Sequence, residues 1–268
     1  MLKSFLIIFA ITPFLFSFTL NNNQHLAFEQ NEVPVYIADT FCSNIGYTET
    51  ELLELITRAN QQYWNRVSTS RLKLVNGGKL SMANAYHTDA LCTSTSPSCT
   101  VNPNLAFNRG ILISCNENSA TNFPTPGLLA VTVPTSISGN KILGAVLLLN
   151  DTASSPLNGK SKDEITALIA HELGHALGLG HSPVKDSLMY YLSIPTRRDL
   201  GWDDIDGITY LYPKEQPVSC GTITKTNDDS NKMGHLYQMA LAFILSILFF
   251  KFITNGPKGS KESLKANK

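Results

Sequence analysis

The sequence lacks a net charge, because its 21 lysines and arginines are balanced by 21 aspartates and glutamates. A protein that binds nucleic acid needs a cationic surface to meet the phosphates, so a neutral chain argues against that class of partner. The chain also lacks an internal repeat, and it lacks the low hydrophobic content of disordered proteins, since 43% of its residues are hydrophobic. We therefore expect a folded protein that does not bind nucleic acid.

Cysteine is scarce and never occurs in a C-x-x-C pair, which argues against a cysteine zinc cluster and a thioredoxin-like redox site. Cys92 and Cys99 bracket a loop rich in serine, threonine and proline, and we predict that they form a disulfide. The number of cysteines is odd, so at least one thiol is left over, and the sequence does not identify which. The five cysteines are Cys42, Cys92, Cys99, Cys115 and Cys220.

Two apolar stretches lie near the two ends of the chain. Residues 1–20 have the pattern of a secretory signal peptide, with an uncleaved N-terminal anchor as the alternative. Residues 236–254 carry one charge and are long enough to cross a bilayer, with a buried core helix as the alternative. The lysine-rich tail at 255–268 marks the cytoplasmic side. We predict a domain at 21–217 in the periplasm or at the cell surface, a polar linker at 218–235, a single transmembrane helix and a basic cytoplasmic tail.

Between these ends the hydrophobic pattern predicts helices and strands. Thr48 and Ser161 each precede a glutamate by three residues, the spacing of a capping box, so each is expected to open a helix. A third helix is expected over residues 203–212. Strands are predicted at residues 33–38, 72–75, 110–115, 128–133 and 142–149, with Gly77-Gly78 ending the second strand and a turn at Gly139-Asn140 joining the last two.

One segment, HELGHALGLGH, carries the chemistry. His171 and His175 are four residues apart on a predicted helix, so both rings project from one face and can hold one Zn²⁺. Gly178 accepts positive φ and can end the helix, which lets His181 return as a third ligand. Three histidines leave a fourth position for water, and Glu172 is expected to activate that water as a general base. The alternative is an ordinary amphipathic helix with surface histidines.

The pattern H-E-x-x-H-x-x-G-x-x-H, with Met189 following, resembles the metzincin signature, and Ser182 after the third histidine resembles the matrixins. The segment at 203–208 is similar to the matrixin C-terminal helix. The resemblance implies an α+β fold with a mixed, mostly parallel twisted sheet, about three helices and zinc in the cleft between an upper and a lower subdomain. It implies that Met189 supports the metal site from a tight turn without binding metal. It also implies that strand 142–149 lies near the cleft rim where extended substrate pairs, and a buried core strand is an equally strong alternative.

The chain departs from the matrixin pattern at several positions. His87 and Asp89 could begin the family's structural zinc site, but no histidine or aspartate occurs between Asp89 and Asp151, so a second zinc is not expected. Calcium is common in the family, yet the chain shows no clear calcium motif. Tyr191 stands where matrixins have proline. Some other metzincins use a tyrosine there as a switchable ligand, so Tyr191 is a candidate fifth ligand or oxyanion-stabilising residue, and a wall of the specificity pocket is the preferred interpretation.

The sequence therefore predicts a membrane-anchored, zinc-dependent endopeptidase that hydrolyses peptide bonds of extracytoplasmic proteins. Two alternatives are a catalytically weak binding protein with the same fold and a zinc amidohydrolase of small substrates. The presence of Glu172 and all three histidines argues against the first alternative. The resemblance implies that residues 183–196 line the pocket for the residue after the scissile bond, and the apolar residues in this stretch favour a hydrophobic side chain there: Leu188, Tyr190, Leu192 and Ile194.

Overall fold

The computed structural model describes residues 18–22, 24–39, 42–95, 98–192 and 199–214. Most of the predicted signal peptide and the whole of the predicted linker, transmembrane helix and tail lie outside these residues, as does Cys220. Within the described ranges, the structure contains no helix with the length and apolar character needed to span a membrane.

Six strands form one mixed sheet, and two short strands form a separate hairpin. In the large sheet the order is β1-β8-β6-β2-β3 with parallel pairing, and β7 lies off this path and pairs antiparallel with β8. The predicted mainly parallel, mixed sheet is confirmed. The strands are β1 (Ala27–Phe28), β2 (Glu32–Ala38), β3 (Lys73–Leu80), β4 (Cys92–Ser94), β5 (Thr100–Val101), β6 (Gly110–Asn116), β7 (Ala130–Ser138) and β8 (Lys141–Asn150), with β4 and β5 forming the hairpin.

Within the described ranges, four α-helices accompany the sheet: α1 (Glu49–Gln62), α2 (Ala85–Thr88), α3 (Lys162–Ala176) and α4 (Trp202–Leu211). Both predicted capping boxes are present, with Thr48 opening α1 and Ser161 opening α3. These contacts satisfy backbone N–H groups that have no partner inside the helix. The three predicted helices are confirmed as α1, α3 and α4. The sequence analysis missed α2, a single turn of four residues without a side-chain cap.

Two hydrophobic clusters cover the two faces of the sheet. The larger cluster lies between the sheet, α1 and α3, and the smaller cluster lies on the opposite face beneath the region that connects β3 to β7. Alternate residues of β8 enter different clusters: Leu147 belongs to the first, whereas Val146 and Leu148 belong to the second. This alternation explains why β8 is apolar almost throughout, because both of its faces are buried.

The prediction that Gly77-Gly78 ends a strand was wrong, because β3 continues through both residues to Leu80. The register of β3 against β2 shifts at this point, between Val35 and Tyr36. A Cβ atom on Gly77 would lie 2.5 Å from the ring of Tyr36. Gly77 therefore makes room for an aromatic ring inside a continuing strand.

The placement of strand 142–149 at the cleft rim was also wrong. These residues belong to β8, which lies between β6 and β7 in the sheet. The alternative of a buried core strand is confirmed, since residues from Ala145 to Leu149 are at most 1% exposed. The strand on the outer side of β8 is β7, so β7 forms the edge.

Two disulfides occur among the described residues. Cys92 pairs with Cys99 as predicted and closes the β4–β5 hairpin. Cys42 pairs with Cys115 across a sequence separation of 73 and ties the segment before α1 to β6. The sequence did not predict this second pair, because several cysteines separated by long stretches allow several connectivities.

Candidate active site

Two of the predicted metal ligands lie on α3, where their four-residue spacing brings both rings to one face. The Nε2 atoms of His171 and His175 are 3.2 Å apart. On the rest of the helix, Ile165, Ile169 and Leu173 are at most 1% exposed and belong to the larger hydrophobic cluster. The helix therefore holds the two imidazoles on a well-packed support.

The chain reverses after α3 at Gly178, and this reversal brings His181 to the two helical histidines. Gly178 has a φ of +106°, and a Cβ atom there would lie 2.3 Å from the carbonyl oxygen of Leu26, so only glycine fits. Nε2 of His181 lies 3.2 Å from Nε2 of His175. Potential ligand atoms of the three histidines all lie within 4.8 Å of one another, close enough to bind a single metal ion.

Backbone carbonyls orient the two helical imidazoles. Nδ1 of His171 donates to the carbonyl of Leu188 at 2.7 Å, and Nδ1 of His175 donates to the carbonyl of Leu179 at 2.9 Å. A carbonyl only accepts hydrogen bonds, so these contacts place the ring proton on Nδ1 and leave a lone pair on Nε2.

The protonation state of the histidines suits a metal ion. Burial, together with the neighbouring His175, lowers the pKa of His171 to about 3. Burial also lowers the pKa of His175 and of His181. All three rings are therefore neutral near pH 7, and three neutral imidazoles with converging Nε2 atoms form a donor set that fits Zn²⁺.

Glu172 lies beside the histidines and is only 7% exposed. Its Oε2 accepts a hydrogen bond of 2.5 Å from the hydroxyl of Thr132 on β7. Burial raises the pKa of Glu172 to about 7, whereas the Thr132 hydrogen bond and the nearby His181 act in the opposite direction. A carboxyl group whose pKa lies near the working pH can both accept and release a proton. The sequence analysis did not anticipate Thr132.

Met189 lies in a tight turn beneath the histidine cluster and is 2% exposed. A Cβ atom on Gly174, in the middle of the motif, would lie 2.4 Å from the sulfur of Met189, so the glycine permits this close approach. Ser182 donates its backbone N–H to the carbonyl of Met189 at 2.7 Å, which joins the turn to the residue after the third histidine.

Asp204 on α4 holds the methionine turn in place. Its carboxylate accepts hydrogen bonds from the Ser187 hydroxyl and from the backbone N–H groups of Leu188, Met189 and Gly201, at 2.5 to 3.1 Å. The sequence marked Asp204 only as part of a helix start. Its acidic side chain in the first helical turn was the available signal, but its partners in the turn lie 15 to 17 residues earlier in the chain.

Two cavities meet at Glu172 and His181. The first, of about 430 Å³, extends between residues 127–130 and α3, and its wall includes Leu168, Tyr190 and Tyr191. The second, of about 780 Å³, extends along β7 toward the β4–β5 hairpin. The edge strand β7 therefore borders both halves of a cleft whose centre is the histidine cluster.

The lining of the first cavity differs from the lining predicted for the hydrophobic specificity pocket. Of the four apolar residues predicted to line it, Tyr190 does so. Leu188 is instead fully buried in the core, Leu192 is 54% exposed, and Ile194 lies outside the described residues. The apolar lining comes mainly from Leu128, Leu129, Ala130 and Leu168.

The segment before β1 packs on the turn that carries His181. The Thr19 hydroxyl donates to the carbonyl of His181 at 2.5 Å, and the Thr19 backbone carbonyl accepts from the N–H of Gly180 at 2.8 Å. The amide of Asn21 donates to the carbonyl of His175 at 2.7 Å. The sequence analysis assigned residues 18–20 to the end of a signal peptide and so missed these contacts, which join residues more than 150 positions apart.

The remaining histidines lie elsewhere. Nδ1 of His87 donates to the carbonyl of Cys115 at 2.9 Å, His25 contacts the hydroxyl of Tyr210 at 2.6 Å, and His235 lies outside the described residues. Among the residues that the structure describes, His171, His175 and His181 form the one group of three or more histidine, cysteine or acidic side chains whose ligand atoms lie close enough to hold a metal ion.

A three-histidine cluster, a neighbouring glutamate and a methionine turn beneath them define a metallopeptidase site of the metzincin type. Within that class, the model of the matrixin family matches residues 61–213, more than half of the chain. The chain belongs to the matrixin family, and this membership implies zinc as the metal.

Curated relatives match shorter segments. Metalloendoproteinase 2-MMP of Arabidopsis thaliana is 47% identical over 51 residues, which cover 18% of this chain and 14% of that protein. Stromelysin-1 of Rattus norvegicus is 40% identical over 94 residues, covering 31% and 20% respectively. Interstitial collagenase of Sus scrofa is 55% identical over 51 residues, covering 18% and 11%. The chain thus matches a fifth or less of the length of each of these relatives.

Proposed function

We propose that the protein is a zinc-dependent endopeptidase that cleaves extended polypeptides outside the cytoplasm. The observation that carries this proposal is the convergence of three neutral imidazoles beside a buried glutamate, at the centre of a cleft bordered by an edge strand. Membership of the matrixin family supports the same reaction class.

His171, His175 and His181 would hold the zinc through their Nε2 atoms. The bound ion supplies a Lewis acid that polarises the scissile carbonyl and makes a water molecule more acidic. Glu172 takes one proton from the attacking water as the water oxygen bonds to the carbonyl carbon. Glu172 then gives that proton to the amide nitrogen as the carbon–nitrogen bond breaks, so the carboxylate is regenerated.

The edge strand β7 offers a docking site for an extended substrate. It pairs with β8 on one side, and among the described residues no strand pairs with its other side. An added peptide strand would satisfy the exposed backbone groups of β7 and lie across the histidine cluster. The long cleft favours a polypeptide over the small substrates of an amidohydrolase.

The first cavity would receive the side chain that follows the scissile bond. Its lining by Leu128, Leu129, Ala130 and Leu168 favours a hydrophobic side chain. Tyr191 also borders this cavity and is 57% exposed. This position supports the interpretation that Tyr191 is a wall residue of the pocket and not a metal ligand.

The two disulfides support a location in an oxidising compartment, because such bonds persist outside the cytoplasm. Together with the apolar run at 236–254, they lead us to propose an extracytoplasmic catalytic domain attached to a membrane. Protease treatment of intact cells or spheroplasts tests this topology, and a protected N-terminal domain would argue against it.

Replacing the general base tests the reaction. The full chain and its Glu172→Ala variant are incubated with a reduced, carboxymethylated protein, and cleavage is followed by gel and mass spectrometry. We expect Glu172→Ala to cleave at least about 100-fold more slowly while keeping its zinc, since the carboxylate moves protons and is not a ligand. Glu54→Ala, an exposed glutamate on α1, is the matched control. Undiminished cleavage by Glu172→Ala would contradict the proposed mechanism.

A further inference from the structure

Thr132 lies in the middle of β7, directly opposite Leu147 of β8. Side chains alternate along a strand, and on β7 Val131 and Val133 pack on the smaller hydrophobic cluster. Thr132 faces the other way, toward α3, together with Ala130. The edge strand therefore presents one hydroxyl group to the helix that carries the catalytic motif.

That hydroxyl reaches the buried carboxylate of Glu172. Thr132 Oγ1 lies 2.5 Å from Glu172 Oε2, and the two residues are 40 positions apart in the chain. The last torsion of a glutamate side chain has no sharp intrinsic preference, so packing of the carbon chain alone does not fix the plane of the carboxylate. A hydrogen bond to one of its oxygens does fix that plane.

Strand formation alone does not account for a threonine here. Both neighbours of Thr132 are valines, which favour strands at least as well as threonine does. Valine has nearly the same shape as threonine but no hydroxyl, and a hydroxyl is costly to bury unless it finds a partner. The property that distinguishes Thr132 from Val131 and Val133 is its contact with Glu172.

We propose that Thr132 is a positioning residue: from the edge strand β7, on which substrate would pair, its hydroxyl orients the Glu172 carboxylate for proton transfer. The inference rests on the proposed peptidase function, in which Glu172 is the general base. Substrate pairing with β7 would then take place on the same strand that fixes the base. The reacting water and the base would be aligned through one element.

Three variants of the full chain test this role. Thr132→Val removes the hydroxyl and keeps the shape, and Thr132→Ser keeps the hydroxyl. Thr57→Val is the matched control, because Thr57 lies on α1 and its hydroxyl donates to the carbonyl of Leu53 at 2.8 Å, away from Glu172 and from β7. For each variant kcat, KM, zinc content and Tm are measured with one fluorogenic peptide.

We expect Thr132→Val to lower kcat about ten-fold with KM and zinc content unchanged, because the variant loses one hydrogen bond to a charged group. Thr132→Ser should restore kcat to within about two-fold of the unmodified chain, and Thr57→Val should leave kcat unchanged. Equal kcat values for Thr132→Val and the unmodified chain would overturn the inference. So would a change confined to KM, zinc content or Tm, which would indicate a structural role.

A double variant separates orientation of the base from any other effect. If Thr132 acts through Glu172, Thr132→Val should not slow the residual reaction of Glu172→Gln any further. A further ten-fold loss on that background would overturn the inference while leaving the peptidase function intact. Absence of chelator-sensitive cleavage by the unmodified chain would overturn the proposed function and this inference together.

Discussion

Tyr191 differs from the other residues around the histidine cluster because more than half of its side chain is exposed, at 57%. It borders the first cavity together with Tyr190, and the two rings lie 4.8 Å apart. A residue that only walls a pocket contributes its ring, whereas a metal ligand or oxyanion donor contributes its hydroxyl.

Removing that hydroxyl distinguishes these two roles. We expect Tyr191→Phe to keep kcat/KM within about two-fold of the unmodified chain, because the ring remains in the cavity wall. Loss of an oxyanion-stabilising donor would instead cost about 100-fold or more. A loss of that size in steady-state peptide cleavage would contradict the pocket-wall assignment.

Asp204 is the single residue on which the methionine turn depends most. It is 1% exposed and accepts four hydrogen bonds. We expect Asp204→Ala to lower the free energy of unfolding by about 3–5 kcal/mol, because buried N–H groups lose their acceptor. Urea unfolding of the full chain measures this change. Asp206→Ala, an exposed aspartate on the same helix, should change it by less than about 0.5 kcal/mol, and equal effects of both variants would contradict the bracing role.

The residues that the sequence predicted and those that it missed differ in a physical way. His171, Glu172 and His175 are related by helical periodicity, and His181 by a glycine that can reverse the chain, so local rules were enough to group them. Thr132 and Asp204 contact the site only because β7 and α4 pack beside it. Such contacts depend on tertiary structure, which no local spacing encodes.

At the scale of secondary structure elements, the turn between α3 and the third histidine is held from outside by the segment before β1. Leu20 bridges to Leu179, and the backbone N–H of Asn21 donates to the carbonyl of Gly178 at 3.0 Å. The turn therefore depends on a segment at the far end of the domain sequence, and its rigidity should decrease when those contacts are weakened.

Truncating one side chain of that segment tests the bracing. We expect Asn21→Ala to destabilise the protein by about 1 kcal/mol, since it removes the hydrogen bond from the Asn21 amide to the carbonyl of His175. Denaturant unfolding followed by tryptophan fluorescence measures the change. Asn22→Ala is the neighbouring control and should cost less, because the Asn22 side chain accepts from the N–H of Gln24 within its own loop and does not contact the turn that carries His181 among the described residues. The reverse order would contradict the account.

Element types were easier to predict than element positions. Capping boxes located α1 and α3, and a continuous apolar run located β8. Whether that run lay at an edge or in the interior depended on the pairing of β7, which the run itself does not encode. Gly77-Gly78 was interpreted as a strand end because glycine usually interrupts strands, whereas here it accommodates the ring of Tyr36.

At the scale of the whole molecule, hydrogen bonds hold the region where matrixins place a structural zinc. The side-chain amides of Asn116 and Asn122 both donate to the carbonyl of Asp89, and Asn122 also donates to the Asn116 side chain at 2.8 Å. His87 is engaged by the carbonyl of Cys115. These hydrogen bonds satisfy the polar groups of the region, and together with the lack of histidine and aspartate between Asp89 and Asp151 they support the expectation of one zinc per chain.

Titration of the metal-free chain with zinc tests the central claim most directly. Metal is removed from the full chain with a chelator, and zinc is then added in known amounts. At each addition, both the rate of cleavage of an unfolded polypeptide and the amount of bound zinc are measured. The account predicts no cleavage without metal and a linear rise that reaches its plateau at about one zinc per chain. Cleavage by the stripped chain at the full rate, or no cleavage at any zinc loading, would contradict it.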